Sequence, residues 1–287
     1  MRTVLVSQDF LSLRGMFRAC RAAGHTPVAA LATRSHSARG GRSSAERIGQ
    51  VEAILASAPS GMDLVVVDDV DQLTASVEGY RPDLLLVCGF PWRLPENLLA
   101  LARYGSVNLH PSILPELRGP FPVHWAIRRG DRTLGVTAHR MEADYDTGPV
   151  LASVRFEVPV QAFGSAIWMR VGKGVQAVVG PALERAAQAE AGEPQSAADA
   201  TYAGPFTPQN GVVDWSSPAA SIHDLVRAWS LGGLGSAGPV AELNGELVRL
   251  HRTSITPADG VRVDCADGPI WLVDHVPADL DQEGMRP

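Results

Sequence analysis

Asn108, His110 and Asp146 are the residues of this sequence whose types and spacing best suit catalysis. Asn108 and His110 lie two positions apart at the end of an apolar run, so both side chains point to the same side of an extended chain. Asp146 lies in the segment DYDTGP, whose Asp, Thr and Gly predict a turn at a cleft. An amide can stabilise negative charge on an oxygen, and an imidazole beside a carboxylate can move a proton near neutral pH. A single His with a carboxylate is weak evidence by itself, so a structural role for His110 is the alternative at this point.

The elements that must position these residues follow a strand and helix pattern. The continuous apolar runs TVLVS, PVAALAT, LVVV and LLLV predict buried parallel strands. GSVNLH and TLGVTAH predict a fifth and a sixth strand, with the helix PVHWAIRR between them. Open parallel sheets bind ligands at the carboxyl ends of their strands, so we expect the chemistry just past Val107 and Arg140. The fold class is α/β with a mostly parallel sheet.

Composition predicts two domains joined by a linker. We expect a catalytic domain over residues 1–190, ending in a long helix from Gly164 to Ala189. Residues 191–212 are rich in Pro, Ser, Ala and Gln, which predicts a linker. Residues 213–287 contain a helical stretch and then short strands separated by turns, which predict a small β-barrel-like (OB-like) domain. The chain from Pro277 onward is expected to form a loose tail.

Charge bears on possible partners. The net charge is −6, and Lys173 is the single lysine among 25 basic residues, so no overall basic field attracts nucleic acid. The segment from Thr33 to Gln50 is interpreted as a solvated loop. It carries Arg34, Arg39, Arg42 and Arg47. No basic leader precedes the first strand and no apolar run reaches the roughly 20 residues of a membrane span, so we expect a cytoplasmic protein without a membrane partner.

The cysteines and the remaining candidate histidines predict no metal site. The three cysteines are far apart, which fits reduced thiols. His124 and His139 lack metal-ligand spacing with any Cys or carboxylate pair, and both are interpreted as structural.

A long segment carries a resemblance to a known family. The stretch NLHPSILPELRGPFPVHWAIRRGDRTLGVTAHRMEADYDTGPVL resembles the signature region of the folate-dependent formyltransferases. This resemblance implies a Rossmann-like domain, a 10-formyltetrahydrofolate co-substrate, no metal, and catalytic roles for Asn108, His110 and Asp146. TYAGPFTPQNGVVDW, with the following LVRAW, resembles the join to the C-terminal barrel in the methionyl-tRNA and sugar-nucleotide branches. The glycinamide ribonucleotide branch lacks that extension and is disfavoured.

The resemblance also implies where the folate carrier binds. Its flat pterin would lie between the loop CGFPWRLP and the loop that leads to Asp146, and backbone groups would make most of the contacts. The expected lining residues are Gly89, Phe90, Trp92, Leu94, Ala143 and Asp144, and a position in the core is the alternative for Trp92. The family's common Tyr-Gly pair near Phe90 is absent here. Ser112 and Arg118 are expected to support the loop beside the substrate.

The sequence leaves the acceptor open. A small-molecule amine, such as an amino sugar nucleotide or a metabolite precursor, is favoured by the acidic charge and the scarcity of lysine. Initiator methionyl-tRNA is the alternative, favoured by the arginine-bearing loop and the retained barrel. A formyltetrahydrofolate hydrolase is a third interpretation, because the same three residues occur in hydrolases that release formate from the carrier. The oligomeric state is also open, a homodimer included.

Overall fold

The computed structural model describes residues 1–35, 38–39, 45–232 and 238–278. Arg42, the side chain of Arg47 and most of the expected tail lie outside these residues. The chain divides into two compact units. The first comprises Met1–Gly119, Gly135–Phe156 and Val171–Thr201, and the second comprises Pro120–Leu134, Glu157–Arg170 and Tyr202–Pro287. The domain boundaries expected from the sequence stay a prediction.

A seven-stranded sheet forms the centre of the first unit. Its strands in chain order are β1 (Arg2–Ser7), β2 (Thr26–Thr33), β3 (Asp63–Val67), β4 (Leu84–Cys88), β5 (Ser106–His110), β6 (Thr133–Arg140) and β7 (Val150–Glu157). The spatial order is β3-β2-β1-β4-β5-β6-β7. Strands β1 to β5 pair with one another in parallel. Strand β4 is buried at every position because it lies in the middle of the sheet, as its continuous apolar sequence predicts.

A helix follows each strand from β1 to β5 along the chain, and two more follow β7. They are α1 (Phe10–Ala22), α2 (Ala45–Ser57), α3 (Val70–Tyr80), α4 (Glu96–Leu99), α5 (Pro122–Arg129), α6 (Gly164–Ala187) and α7 (Ala219–Trp229). Asp9 caps α1, since its side chain accepts hydrogen bonds from the backbone N–H groups of Leu11 and Ser12. The interpretation of Thr33 to Gln50 as a loop is wrong from Ala45 onward, where α2 begins. Its apolar residues recur at helical spacing, and Ile54 is fully buried.

The direction of β6 corrects one expectation. This strand is antiparallel to β5, with Asn108 opposite His139 and His110 opposite Thr137. The carboxyl ends of β5 and β6 therefore point to opposite edges of the sheet rather than sharing one. Asp146 is brought to the end of β5 by the loop that follows β6.

An antiparallel sheet lies in the second unit. Its strands β8 (Val240–Leu243), β9 (Glu246–Ser254), β10 (Val261–Cys265) and β11 (Gly268–Pro277) are arranged in the order β10-β11-β9-β8 and form a curled half-barrel. In the same unit His124 contacts the Gly232 carbonyl through Nε2 at 3.0 Å. The fold class expected from the sequence, a mostly parallel Rossmann-like sheet followed by a small β-barrel-like domain, is confirmed. No helix of the described residues has the length and apolar content to cross a membrane.

Candidate active site

Asn108, His110 and Asp146 come together beside β5. The Asn108 Nδ2 atom lies 3.2 Å from Asp146 Oδ1, and the His110 Nδ1 atom lies 3.5 Å from the same oxygen. The side chains of His110 and Asp146 are only 5% and 10% exposed. The alternation of a strand places positions 108 and 110 on one face, which explains why both contact one carboxylate.

The Asp146 backbone adopts a left-handed conformation, with φ of 56°. A residue with a Cβ rarely adopts this conformation, and its surroundings must hold it there. The Gly119 N–H donates to Asp146 Oδ2 at 2.9 Å. Gly148 is also required in this loop, because a Cβ at that position would lie 2.0 Å from the Arg140 carbonyl oxygen.

The hydrogen-bond partners of His110 define its tautomer. The Nε2 atom lies 2.8 Å from the carbonyl oxygen of Leu117. A carbonyl oxygen only accepts, so Nε2 carries the hydrogen. In the neutral ring, Nδ1 is then an unprotonated nitrogen that faces Asp146.

Burial and charge set the ionisation of this pair. Burial lowers the pKa of His110 below its ordinary value of 6.5, and the charge of Asp146 and the Leu117 carbonyl offset only part of this effect. Burial acts to raise the pKa of Asp146. The hydrogen bond with His139, the charge interaction with His110 and the Gly119 N–H outweigh it and lower that pKa from 3.8 to about 2. At neutral pH the site therefore holds a neutral imidazole beside a carboxylate.

His139 also belongs to this cluster, although its spacing in the sequence indicated only a structural residue. Its Nε2 atom lies 3.1 Å from Asn108 Nδ2 and 3.5 Å from Asp146 Oδ1, and its Nδ1 atom donates to the Arg140 carbonyl at 2.8 Å. A neutral His139 accepts from Asn108, and a protonated one donates towards Asp146. The antiparallel register of β5 and β6 brings His139 beside Asn108. The absence of metal-ligand spacing around His139 says nothing about its contact with Asn108, because that contact depends on the pairing of β5 with β6.

The loop after β4 contains both buried and accessible members of the expected carrier site. Trp92 and Leu94 are each 4% exposed and pack in the core. The Trp92 indole N–H donates to the Ser35 carbonyl at 3.2 Å. Gly89 has a φ of 57°, and Phe90 packs edge-on against Trp92 with ring centroids 5.1 Å apart. Trp92 and Leu94 are therefore core residues of this loop, and neither has an exposed side chain for a carrier.

Arg93 connects the two loops expected to hold the pterin. Its guanidinium donates to the Ala143 carbonyl and lies 3.4 Å from Asp144 Oδ1. Its Cζ atom also lies 5.8 Å from the centre of the Tyr145 ring. The loop after β4 and the loop that leads to Asp146 are thus in direct contact through one side chain.

Ser112 and Arg118 make hydrogen bonds within the first unit. Ser112 Oγ donates to the Glu116 carbonyl at 2.7 Å, and the Ser112 carbonyl accepts from Thr137 Oγ1 at 2.7 Å. Arg118 donates through Nε and Nη2 to Gln195 Oε1 at 3.2 and 2.7 Å. Their proposed role beside the substrate stays a prediction. In the described part of the chain, no group of three or more His, Cys, Asp or Glu residues is arranged to hold a metal ion.

Solved structures with a similar fold include two proteins whose chains align with most of this one. HypX from Aquifex aeolicus in complex with tetrahydrofolic acid matches 97% of this chain and 44% of that chain, with a TM-score of 0.64 at 20% identity. A sugar N-formyltransferase from Shewanella matches 90% of this chain and 99% of that chain, with a TM-score of 0.65 at 17% identity. At these identities the likeness establishes the fold.

Sequence relatives establish the family. A methionyl-tRNA formyltransferase of Xanthomonas campestris is 38% identical over 181 residues, which are 62% of this chain and 57% of that protein. One from Pseudomonas paraeruginosa is 34% identical over 209 residues, 69% of this chain and 67% of that protein. The chain thus spans little more than half the length of the Xanthomonas relative. Residues 1–171, which include the whole cluster around Asp146, match the sequence profile of the formyl transferases, and the chain belongs to the formyl transferase family.

Proposed function

We propose that this protein transfers a formyl group from 10-formyltetrahydrofolate to the primary amine of a small molecule, with Asn108, His110 and Asp146 as its catalytic residues. The observation that carries the proposal is the unprotonated Nδ1 of a neutral, buried His110, which lies 3.5 Å from an ionised carboxylate. Such a nitrogen is a general base that is ready at neutral pH.

His110 accounts for the proton that the attacking amine loses. The carrier supplies a formyl carbon as the electrophile, and a neutral amine attacks it. His110 Nδ1 accepts the amine proton, and Asp146 then stabilises the resulting imidazolium. The Leu117 carbonyl retains the Nε2 hydrogen throughout, so the ring keeps its orientation. The protonated Nδ1 is the natural donor for the nitrogen that leaves.

Asn108 accounts for the charge that develops on the formyl oxygen. Its Nδ2 hydrogens are directed at Asp146 Oδ1 and His139 Nε2, 3.2 and 3.1 Å away. The amide therefore exchanges one of these bonds for the formyl oxygen as charge develops. The bond to the His139 ring nitrogen is the weaker of the two, because a hydrogen bond to a carboxylate is charge-assisted. An amide donor of this kind typically contributes about 100- to 1000-fold in rate.

The loops beside the cluster suit a flat, polar ring. Gly89 leaves open space where a Cβ would be, and the Arg93 bridge aligns the loop after β4 with Ala143 and Asp144. Backbone groups of these loops, with Phe90 at the edge, would hold the pterin. Trp92 and Leu94 would support the loop from the core.

A cleft at the carboxyl end of β1 supports a small acceptor. It has a volume of about 320 Å³ and is lined by Gln8, Asp9, Phe10, Gly49, Gln50 and Ala53. Gln8 is 5% exposed, and its Oε1 accepts from the Thr33 N–H at 2.9 Å, which leaves its Nε2 donor without a partner among the described residues. Ser7 pairs with Cys88 and Val87 pairs with Asn108. The cleft therefore begins two strand spacings, about 10 Å, from the cluster, which is the reach of a small polar molecule.

Initiator methionyl-tRNA is the second candidate acceptor. The 38% identity to a methionyl-tRNA formyltransferase favours it. Against it, the net charge is −6, and the guanidinium of Arg34 is paired with Asp68 at 2.5 and 2.8 Å. Phosphate contacts depend steeply on salt, so salt-dependent binding of the tRNA would distinguish this candidate.

The test is a transfer assay with matched variants. The purified protein is first titrated with 5-formyltetrahydrofolate in a calorimeter, and then assayed with 10-formyltetrahydrofolate and either nucleotide-linked amino sugars or charged initiator tRNA. We expect turnover with an amino sugar, and its loss in Asn108→Ala, His110→Ala and Asp146→Ala. Asn97→Ala, an exposed asparagine in α4, is the control and should retain full activity.

Each other outcome has a defined meaning. Near wild-type turnover in His110→Ala would reject the assignment of catalytic residues. Turnover with tRNA alone would establish the second candidate. Formate release without any amine would indicate a hydrolase, and no folate binding would overturn the proposal.

A further inference from the structure

The segment from Glu193 to Thr201 bonds to both loops that hold the candidate catalytic residues. Its composition predicts a linker, yet it lies in the first unit and pairs with the sheet edge, where Glu193 and Val150 exchange two backbone hydrogen bonds of 2.8 and 2.9 Å. Two side chains of this segment, those of Gln195 and Thr201, bond to the loops around His110 and Asp146.

Gln195 uses both ends of its amide. Its Nε2 atom donates to the carbonyl oxygens of Asp146 and Gly148 at 2.9 and 2.7 Å, and its Oε1 atom accepts from Arg118. A carbonyl only accepts and a guanidinium only donates, so the orientation of this amide is unambiguous. Glutamine is the side chain of this length that can satisfy both sets of partners.

The carbonyls that Gln195 binds belong to a strained loop. Asp146 has its φ at 56°, and a left-handed residue with a Cβ persists only where its surroundings fix it. Gln195 spans the Asp146 and Gly148 carbonyls, and Gly119 holds the carboxylate from the other side. The position of the Asp146 carboxylate therefore depends on a residue that never reaches the reacting atoms.

The same segment also binds Leu117, whose carbonyl accepts the hydrogen of His110 Nε2. Thr201 Oγ1 accepts from the Leu117 N–H at 2.8 Å, and the Thr201 carbonyl accepts from the Arg118 N–H at 2.9 Å. Leu117 has its φ at 56°, and its carbonyl holds the Nε2 hydrogen of His110. Asp146 thus bonds directly to Gln195, and His110 is connected to Thr201 through Leu117.

We propose that Gln195 is a positioning residue for formyl transfer, which holds Asp146 at the distance from His110 that proton transfer requires. This inference rests on the proposed function. It assigns a catalytic contribution to a segment that otherwise has the composition of a linker. Arg118 completes the arrangement by fixing the amide of Gln195, and its guanidinium has no need to contact substrate.

Two substitutions of Gln195 distinguish its proposed role in positioning Asp146 from a role that only holds Arg118. Gln195→Met keeps the length and removes every hydrogen bond. Gln195→Glu keeps an acceptor for Arg118 but has no N–H for the Asp146 and Gly148 carbonyls. We expect both variants to lower kcat about 10- to 100-fold, because misplacement by about 1 Å has effects of this size, while the KM for 10-formyltetrahydrofolate stays within about twofold. Gln188→Met, at an exposed glutamine in the same part of the chain, should match wild type.

The pKa of Asp146 is a second measurement, and it needs no acceptor substrate. Carbon-13 NMR titration of the Asp146 carboxyl should give a pKa near 2 in the wild type and a higher one in Gln195→Met, because the carboxylate moves away from its stabilising partners. Wild-type kcat in Gln195→Glu would show that holding Arg118 suffices. A wild-type Asp146 pKa and kcat in both variants would overturn the inference. Asp146→Ala is measured in parallel, and its retained activity would instead reject the proposed function.

Discussion

Asp146 lies 3.5 Å from the Nδ1 atom of His110, the nitrogen that carries no hydrogen in the neutral ring. This contact is unusual, because a lone pair faces a carboxylate with no hydrogen between them. Protonation of Nδ1 converts it into an ion pair between buried side chains. The charge of Asp146 therefore favours the protonated ring and offsets part of the cost that burial places on proton transfer to His110.

The pH dependence of His110 follows from its burial. The pKa of His110 is lowered below 6.5, so we expect the imidazole to stay neutral and able to act as a base as pH falls from 8 through 6.5, and to become protonated only below that value. NMR titration of the imidazole resonances gives the pKa directly. A pKa above 6.5 would contradict this expectation.

The same shift predicts the direction of a stability change. Below pH 6.5 the unfolded chain binds a proton at His110, whereas the folded chain does not until the pH reaches the lower pKa of the folded state. The contribution of His110 to the free energy of unfolding is therefore fully present above pH 6.5. It falls as the pH drops from 6.5 to the pKa of the folded state. Urea titrations at pH 7.0 and 5.5 measure the change, and His110→Phe should reduce it.

Replacement of the carboxylate should lower the pKa of His110 further. The charge of Asp146 raises that pKa against the larger effect of burial, and Asp146→Asn removes the charge while keeping the shape of the side chain. The imidazole titration should therefore move to lower pH than in the wild type. Asp144→Asn, at an exposed aspartate in the same loop, is the matched control and should leave the titration unchanged. An upward shift in Asp146→Asn would show that the two groups do not interact as described.

Much of the fold is readable from the sequence, because local rules determine it. The continuous apolar run Leu84–Cys88 becomes a central strand, and Pro122–Arg129 forms the expected helix. Asn108 and His110 were identifiable because a strand has a fixed period of two. The roles of these residues came from the family resemblance and stay proposals.

The missed features depend on pairing between distant segments. His139 reaches the cluster through the antiparallel register of β5 and β6, which no run of residues within β6 encodes. Gln195 lies in a Pro- and Ala-rich stretch of low local structure, and its four hydrogen bonds all go to residues 47 to 77 positions away. Composition predicts how a segment behaves alone, and tertiary hydrogen bonds here override that behaviour.

Removing the carboxylate from an ion cluster in the second unit should be strongly destabilising. Arg227 is fully buried, and its Nη1 atom lies 2.6 Å from Asp224 Oδ1. Arg132 donates to both Asp224 oxygens at 2.8 and 3.0 Å. Asp224→Ala leaves a buried guanidinium without its carboxylate, so we expect the free energy of unfolding to fall by about 3 to 5 kcal/mol in a urea titration.

The control for this prediction is an exposed pair in the same unit. Arg262 and Asp264 lie 2.7 Å apart with side chains 56% and 72% exposed. Asp264→Ala should change the free energy of unfolding by less than about 1 kcal/mol. Equal effects of the two substitutions would show that the buried cluster has no special importance.

Glycine substitutions inside and outside the Asp146 loop should differ in their effects on activity and on stability. In Gly148→Ala the new Cβ would lie 2.0 Å from the Arg140 carbonyl oxygen, a backbone atom that cannot rotate away, so the loop must shift and carry Asp146 with it. We expect kcat to fall about 100-fold, because catalytic geometry is sensitive to displacements near 1 Å. Gly180→Ala, where a Cβ in α6 meets nothing within 4 Å, should leave kcat unchanged and raise the free energy of unfolding by about 0.4 to 1 kcal/mol. Wild-type kcat in Gly148→Ala would show that the loop adapts without moving the carboxylate, and would remove the requirement for a fixed Asp146.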